Sequence, residues 1–434
     1  MTTYGTALAS AVLSFVNVVL VSRPLGPAGR GEVVFLMTVA ALTAFVSALS
    51  VEEANANLVG LMPRARRALA TNSLVMAIAL GAAGAGAVYA TVRLLPSLRG
   101  DTSLGLLSIA LASVPVIIVQ NYLLMFVRAD YRFAVANAAT LVAPVFNVTV
   151  NGLLTAVGAI TVTTALITWI AGQAIAAAVL AWHVARRLAG FGRPDVRLAG
   201  QAVGFGLKVH GSSSLSAVNF RLDHLILGVL VGPRELGLYS VAVAYFEALF
   251  FLPMALAFVL RPYQVRSTAA EAHRRVARVF RIATIVTIPL VVVLAIAAPL
   301  LCVTIFGEEF RGSVLPLQLL APGALGIVAL KLMGNTLVAQ RRPLLETAAI
   351  GMAFLATVVL DFLLIPRYGA VGAALASTLA YTVAGVAVAT IFLRALGGPK
   401  RDLLPGGRDL PDALAEVGAA LSALRPRTDA RPPP

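Results

Sequence analysis

Residues 25–31 read LGPAGRG, and residues 231–237 read VGPRELG. Three Gly and Pro positions of the two stretches coincide at an offset of 206 residues: Gly26, Pro27 and Gly31 match Gly232, Pro233 and Gly237. Both stretches lie between long apolar runs. A Gly-Pro turn repeated in equivalent surroundings indicates an internal duplication of the chain.

A second match supports this duplication. AVGA occurs at 156–159 and again at 370–373, an offset of 214, and the same offset pairs Arg128 with Arg342 and Asn147 with Asp361. Chance similarity in an Ala-, Gly- and Val-rich chain is the alternative for AVGA taken alone. We predict two six-helix lobes, 1–193 and 194–398. Because six is even, both lobes enter the membrane in the same direction, as parallel repeats.

The composition points to a membrane protein. The 434 residues are 59% hydrophobic and only 12% charged, and the mean hydropathy is +0.91. An average soluble domain carries roughly 25% charged residues, so a single water-soluble globule is excluded. One cysteine, Cys302, excludes a disulfide framework, and the four scattered histidines predict no metal site.

Twelve apolar segments are long enough to cross a bilayer, which needs about 20 residues per helix. They are 5–22, 32–62, 69–92, 104–127, 135–154, 162–182, 204–231, 236–260, 282–305, 314–340, 345–365 and 370–393. The predicted fold is therefore all-α and polytopic, with about 12 transmembrane helices. The second segment is long for one span, and its end is expected to lie along the interface.

Basic residues predict the orientation of these spans. The even-numbered loops and the tail hold 24 Lys and Arg, whereas the odd-numbered loops hold seven. Basic loops stay cytoplasmic, so both termini are predicted in the cytoplasm. The same rule accounts for the net charge of +15, and no nucleic-acid partner is predicted. The 31 Arg against three Lys, with abundant Ala, indicate a GC-rich bacterial genome and a bacterial cell membrane.

Two cytoplasmic regions are predicted to meet other molecules. Loop 261–281 carries six Arg and is expected to lie on anionic inner-leaflet lipids. The tail, 399–434, contains one short amphipathic pattern, which could dock on the membrane or on a polysaccharide-biosynthesis partner. Its apolar positions recur at spacings of four and three: Leu410, Leu414, Val417, Leu421 and Leu424.

Polar side chains concentrate in the seventh segment, where ionisable groups are costly and usually functional. They include Lys208, Asn219, Arg221, Asp223 and His224. Read as one continuous helix, the segment places Arg221 near the midplane and on one face with His224. Asn219 and Asp223 share another face.

Several polar residues within the predicted spans also have explanations that involve no function. Lys208 lies close to the cytoplasmic end, where its side chain can reach the interface. Glu247 of the eighth segment also lies near the midplane, so an Arg221–Glu247 bridge between the two helices is the structural reading of that pair. Asp361 lies near a segment end and is read as a boundary residue.

Three stretches resemble the polysaccharide flippases of the multidrug/oligosaccharidyl-lipid/polysaccharide exporter superfamily. They are SRPLGPAGRGEVVFL at 22–36, RLDHLILGVLVGPRELGLYSVAVAYFEALFFLP at 221–253 and IPRYGAVGAALAST at 365–378. The resemblance extends over about 1–395. It implies two six-helix lobes around a central cavity that opens alternately to either side. It also implies cargo consisting of an oligosaccharide on a polyprenyl diphosphate, moved to the external leaflet.

The residues then receive roles in this transport. Arg221 and His224, with Asn219 and Lys208, are expected to bind the diphosphate, because guanidinium pairs with phosphate oxygens and stays charged when desolvated. Asp223 and Glu247 become candidates for H+ or Na+ coupling. No catalytic residue and no cofactor are predicted.

Rival functions remain open at this point. A cation-coupled multidrug or small-molecule antiporter belongs to the same superfamily, but aromatic residues are only 7% of the chain, and such an exporter favours an aromatic pocket for organic cations. A lipid II flippase is another option that no sequence feature separates. A polytopic glycan polymerase or ligase needs acid/base groups on a sizeable external loop, whereas every predicted external loop is short.

Overall fold

The computed structural model describes residues 3–404, 406 and 411, and this part of the chain contains helices but no strand. The first seven helices are α1 (Thr3–Ser47), α2 (Val51–Leu61), α3 (Arg66–Leu94), α4 (Leu104–Ala112), α5 (Val114–Ala129), α6 (Phe133–Ala156) and α7 (Val162–Arg187). The next eight are α8 (Val196–Asn219), α9 (Leu222–Leu230), α10 (Pro233–Ala248), α11 (Phe251–Arg266), α12 (Ala269–Leu300), α13 (Val314–Leu320), α14 (Ala324–Ala339) and α15 (Pro343–Leu396). The predicted amphipathic helix of the tail lies outside the described residues.

All twelve predicted apolar segments coincide with one or two of these helices, which confirms an all-α, multi-pass membrane protein. Eight helical stretches within the described residues are long and apolar enough to cross a bilayer. The stretch in α1 contains the first predicted segment and part of the second, and the stretch in α15 contains the last two; each pair is joined across a glycine. Gly26 has φ 63° and Gly369 has φ 55°, a conformation that residues with a side chain rarely adopt. The chain therefore turns at both glycines.

Five predicted segments are divided between two helices. The fourth is divided into α4 and α5, and the tenth into α13 and α14. The second segment is split between α1 and α2 by a turn in which Leu49 and Ser50 have positive φ. The seventh is split into α8 and α9 at Phe220 and Arg221, and the eighth into α10 and α11 at Leu249 and Phe250. At the last break, the backbone N–H of Leu249 donates to Phe246 and closes a tight turn.

The described chain packs as two compact units. One consists of Met1–Ala244, Ala298–Leu317 and Phe354–Ser377; the other consists of Tyr245–Ala297, Gln318–Ala353 and Thr378–Pro434. Fully buried side chains such as Leu36, Ile118 and Tyr122 form a core in the first unit. Leu332, Met333 and Phe392 do so in the second. The predicted lobe boundary at 193/194 stays a prediction.

The two repeated turns contact each other within the first unit. A Cβ atom at Gly31 would overlap the carbonyl oxygen of Pro233, and a Cβ atom at Gly237 would overlap the carbonyl oxygen of Pro27. The contact is thus reciprocal: each copy of the motif offers a glycine to the proline of the other. It joins backbone to backbone, so a side chain at either glycine would push the turns apart.

Candidate functional site

The helix break at Phe220 and Arg221 defines the candidate site. Arg221 has φ −136° and ψ 0°, between the end of α8 and the start of α9. The prediction that Arg221 and His224 share a face of one continuous helix is therefore wrong, and so is the corresponding prediction for Asn219 and Asp223. Interrupted helices at membrane depth expose polar backbone, and transporters use them to bind substrates and ions.

Asp223 lies at the start of α9 and is buried, with 4% of its surface exposed. Its Oδ1 accepts a hydrogen bond of 2.7 Å from the backbone N–H of His224 and lies 2.8 Å from Nδ1 of the same residue. Its Oδ2 accepts from the Tyr239 hydroxyl at 2.5 Å and from Ser377 Oγ at 3.3 Å. Four donor atoms from α9, α10 and α15 thus hold one carboxylate.

A second buried carboxylate lies within electrostatic range of the first. Asp361, on α15, has no exposed surface, and neither of its carboxylate oxygens has a hydrogen-bond partner among the described residues. The charge of Asp223 acts on it. The expectation that Asp361 is a boundary residue is therefore wrong, because it is sealed inside the first compact unit.

The pair has a defined chemical requirement. Two buried carboxylates close together repel each other, and burial removes the water that would stabilise either charge. A proton or a cation relieves this repulsion. Carboxylate and hydroxyl oxygens suit a hard cation. A larger metal site is not present in the described chain, since no group of three or more His, Cys, Asp or Glu side chains there is placed to hold a metal ion.

Comparison with known proteins identifies the chain at the level of its family. The model of a family described as polysaccharide biosynthesis protein matches residues 20–315. The chain belongs to this family. No curated protein sequence matches it.

Solved structures share the fold of this family member at low sequence identity. Lipid II flippase MurJ, in an inward closed conformation, is 13% identical with a TM-score of 0.74, over 98% of this chain and 93% of that one. An inward-facing multidrug resistance MATE family transporter of the MOP superfamily is 15% identical with a TM-score of 0.69, over 89% and 94%. A point mutant of the Vibrio cholerae MATE transporter VcmN is 15% identical with a TM-score of 0.61, over 93% and 96%.

The remaining predicted site residues differ in their burial and in their place in the fold. Lys208 is exposed on α8, and Glu247 is half-buried in the second compact unit. Asn219 is buried at the end of α8, and its Oδ1 has no partner among the described residues. Arg221 is half-buried and makes further interactions. The binding roles assigned to these residues stay predictions.

Sequence reasoning missed three members of the site: Tyr239, Ser377 and Asp361. One signal for Asp361 was present, since the offset of 214 pairs it with Asn147, a polar residue of another apolar segment. No comparable signal marks Tyr239 and Ser377. Their contribution comes from packing α10 and α15 against α9, which a single sequence does not reveal.

Proposed function

We propose that this protein is an alternating-access flippase that moves a polyprenyl-diphosphate-linked oligosaccharide from the cytoplasmic to the external leaflet of a bacterial cell membrane. Membership of a polysaccharide biosynthesis family supports a glycan cargo. The likeness to lipid II flippase MurJ supports the same type of movement. We retain the orientation in which both termini face the cytoplasm, from the distribution of basic residues.

The observation that carries the proposal is the buried pair Asp223 and Asp361. A purely structural membrane protein gains nothing from two buried carboxylates that repel each other, one of them without hydrogen-bond partners among the described residues, because replacing such groups by apolar ones is often neutral or stabilising. A transporter does gain, since the pair takes up H+ or Na+ from one side and releases it on the other. Asp361 thereby replaces Glu247 as the second coupling carboxylate in our proposal.

We assign the diphosphate to Arg221. A guanidinium keeps its charge in a desolvated site and forms two parallel hydrogen bonds to phosphate oxygens, and the helix break leaves this residue outside both neighbouring helices. Asn219 and Lys208 both belong to α8, which ends two residues before Arg221, and we retain them in the proposed headgroup site. His224 leaves that set, because its ring contacts Asp223 and packs edge-on against Tyr239 with centroids 5.4 Å apart.

Gene deletion followed by analysis of lipid-linked saccharides tests this function. We expect one polyprenyl-diphosphate-linked saccharide to accumulate on the inner leaflet. Wild-type protein restores export, whereas Arg221→Ala inserts normally and does not. The matched control is Arg99→Ala, which removes an Arg from outside the proposed headgroup site. Unchanged saccharides with altered drug tolerance would instead identify an antiporter, and normal export by Arg221→Ala would remove that residue from the site.

A further inference from the structure

A second polar site lies between α1, α6 and α7, within the first compact unit. It is a cavity of about 280 Å³. The side chains that give it chemical character are Asn17, Arg30, Asn147, Asn151, Trp169 and Gln173. None of them belongs to the site around Asp223.

Two side-chain amides of α6 line this cavity. Asn147 and Asn151 are four residues apart and so lie on one face of the helix, with 9% and 1% of their surfaces exposed. Nδ2 of Asn151 donates to Oδ1 of Asn17 at 2.8 Å. The Oδ1 atoms of Asn147 and Asn151 have no hydrogen-bond partner among the described residues. Buried acceptors without partners are costly, so the cavity favours a ligand that donates hydrogen bonds.

The other lining groups narrow the ligand chemistry. No carboxylate is among the lining residues, and Arg30 adds a positive charge, so a bound cation is disfavoured. Trp169 offers a flat apolar ring, and Gln173, one helical turn further along α7, adds an amide that both donates and accepts. The volume of about 280 Å³ lies just below the ~300–1,000 Å³ typical of small-molecule pockets, which suits a single small ring.

These groups match a sugar ring. Its hydroxyls donate to amide oxygens and accept from amide N–H groups, and its C–H face packs on the indole. We propose that this cavity is a saccharide subsite that holds one sugar ring of the glycan cargo, an inference that rests on the proposed function. Asn147 is the residue to test, because its side chain lines the cavity and its Oδ1 has no hydrogen-bond partner among the described residues.

Tryptophan fluorescence tests the subsite directly. The chain has two tryptophans, so Trp182→Phe leaves Trp169 as the sole tryptophan, which is excited selectively at wavelengths that tyrosine does not absorb. The purified full-length Trp182→Phe protein in detergent is titrated with glucose, galactose, N-acetylglucosamine and glucuronic acid. We expect a saturable change with at least one sugar. Adding Asn147→Ala weakens that binding by about tenfold, the effect of losing one buried hydrogen bond.

The matched control is Asn137→Ala, a buried amide on the same helix that does not line the cavity. It should leave sugar binding unchanged. No saturable response to any of the four sugars in a folded protein overturns the subsite, as does an equal loss in both Asn variants. Full export by Asn147→Ala in the deletion strain would also overturn it while leaving the flippase proposal intact. Absence of lipid-linked saccharide accumulation would instead refute the proposed function, whatever the sugar titration shows.

Discussion

The two halves of the chain carry polar residues at matching positions but with different charge. The offset of 206 pairs Asn17 with Asp223, and the offset of 214 pairs Asn147 with Asp361. An amide and a carboxylate have nearly the same shape, so each pair differs mainly in charge. The first-half residues line a cavity without carboxylates, whereas the second-half residues form a buried acidic pair.

We interpret this contrast as a division of work between the two halves of the predicted duplication. Neutral amides bind hydroxyl groups and respond little to ions. Two buried carboxylates that repel each other are stabilised by taking up a proton or a cation. We infer that the first half recognises the saccharide of the cargo, whereas the second half binds its diphosphate and senses the driving ion. Four changes test this division, in order of decreasing expected effect.

Placing a charge in the first half should have the largest effect. Asn147→Asp puts a carboxylate where its counterpart is Asp361. The new charge is buried, and Arg30, the cation that lines this cavity, donates its Nε to Ser240 Oγ at 3.2 Å. An uncompensated buried charge costs about 3–5 kcal/mol, and we expect the free energy of unfolding to fall by that amount in detergent. The control is Asn57→Asp, an exposed asparagine, which should leave stability unchanged. A stable Asn147→Asp protein would show that the first half accommodates charge as readily as the second.

The two Gly-Pro turns at 25–31 and 231–237 are the places where the halves are most alike. Equivalent substitutions in the two turns should therefore lower stability equally. Gly31→Ala and Gly237→Ala each place a methyl group against a carbonyl oxygen of the other turn. Overpacking of this kind costs about 1–3 kcal/mol, measured by thermal unfolding. Gly86→Ala is the control, because nothing lies within 4 Å of its added Cβ. Unequal losses at the two glycines would argue against an equivalent role for the two turns.

The contrast between the halves was only partly visible in the sequence. Apolar run lengths predict the spans because every backbone group in a bilayer must be satisfied within its helix. No Gly or Pro marks the helix break at Phe220 and Arg221 in the sequence. Tertiary packing determines where this break lies, so the sequence did not predict it. Asp361 could be placed on a span but not on a face, since one sequence does not show which neighbour a helix side meets. The match with Asn147 was the one pointer to its burial.

Replacing both buried carboxylates of the second half by amides should make its site neutral, like that of the first half. In the Asp223→Asn, Asp361→Asn double variant, we expect the dependence of transport on a Na+ or pH gradient to disappear. Export in proteoliposomes should fall by about 5- to 150-fold, the range produced by ordinary coupling free energies. Asp101→Asn, an exposed carboxylate outside the pair, is the control. Retained gradient dependence in the double variant would place ion coupling elsewhere.

The smallest effect is expected from removing one donor of the acidic site. The offset of 206 pairs Tyr239 with Val33, so the hydroxyl that donates to Asp223 at 2.5 Å has no counterpart in the first half. Ser377 already donates to the same oxygen at 3.3 Å and compensates in part. We therefore expect Tyr239→Phe to lower the free energy of unfolding by about 1 kcal/mol, the usual value of one hydrogen bond. Tyr368→Phe, with 60% of its surface exposed, should change nothing. If Tyr239→Phe matches the wild type in both stability and gradient dependence, the extra hydroxyl is not what distinguishes the acidic half, and the two carboxylates alone must account for the difference.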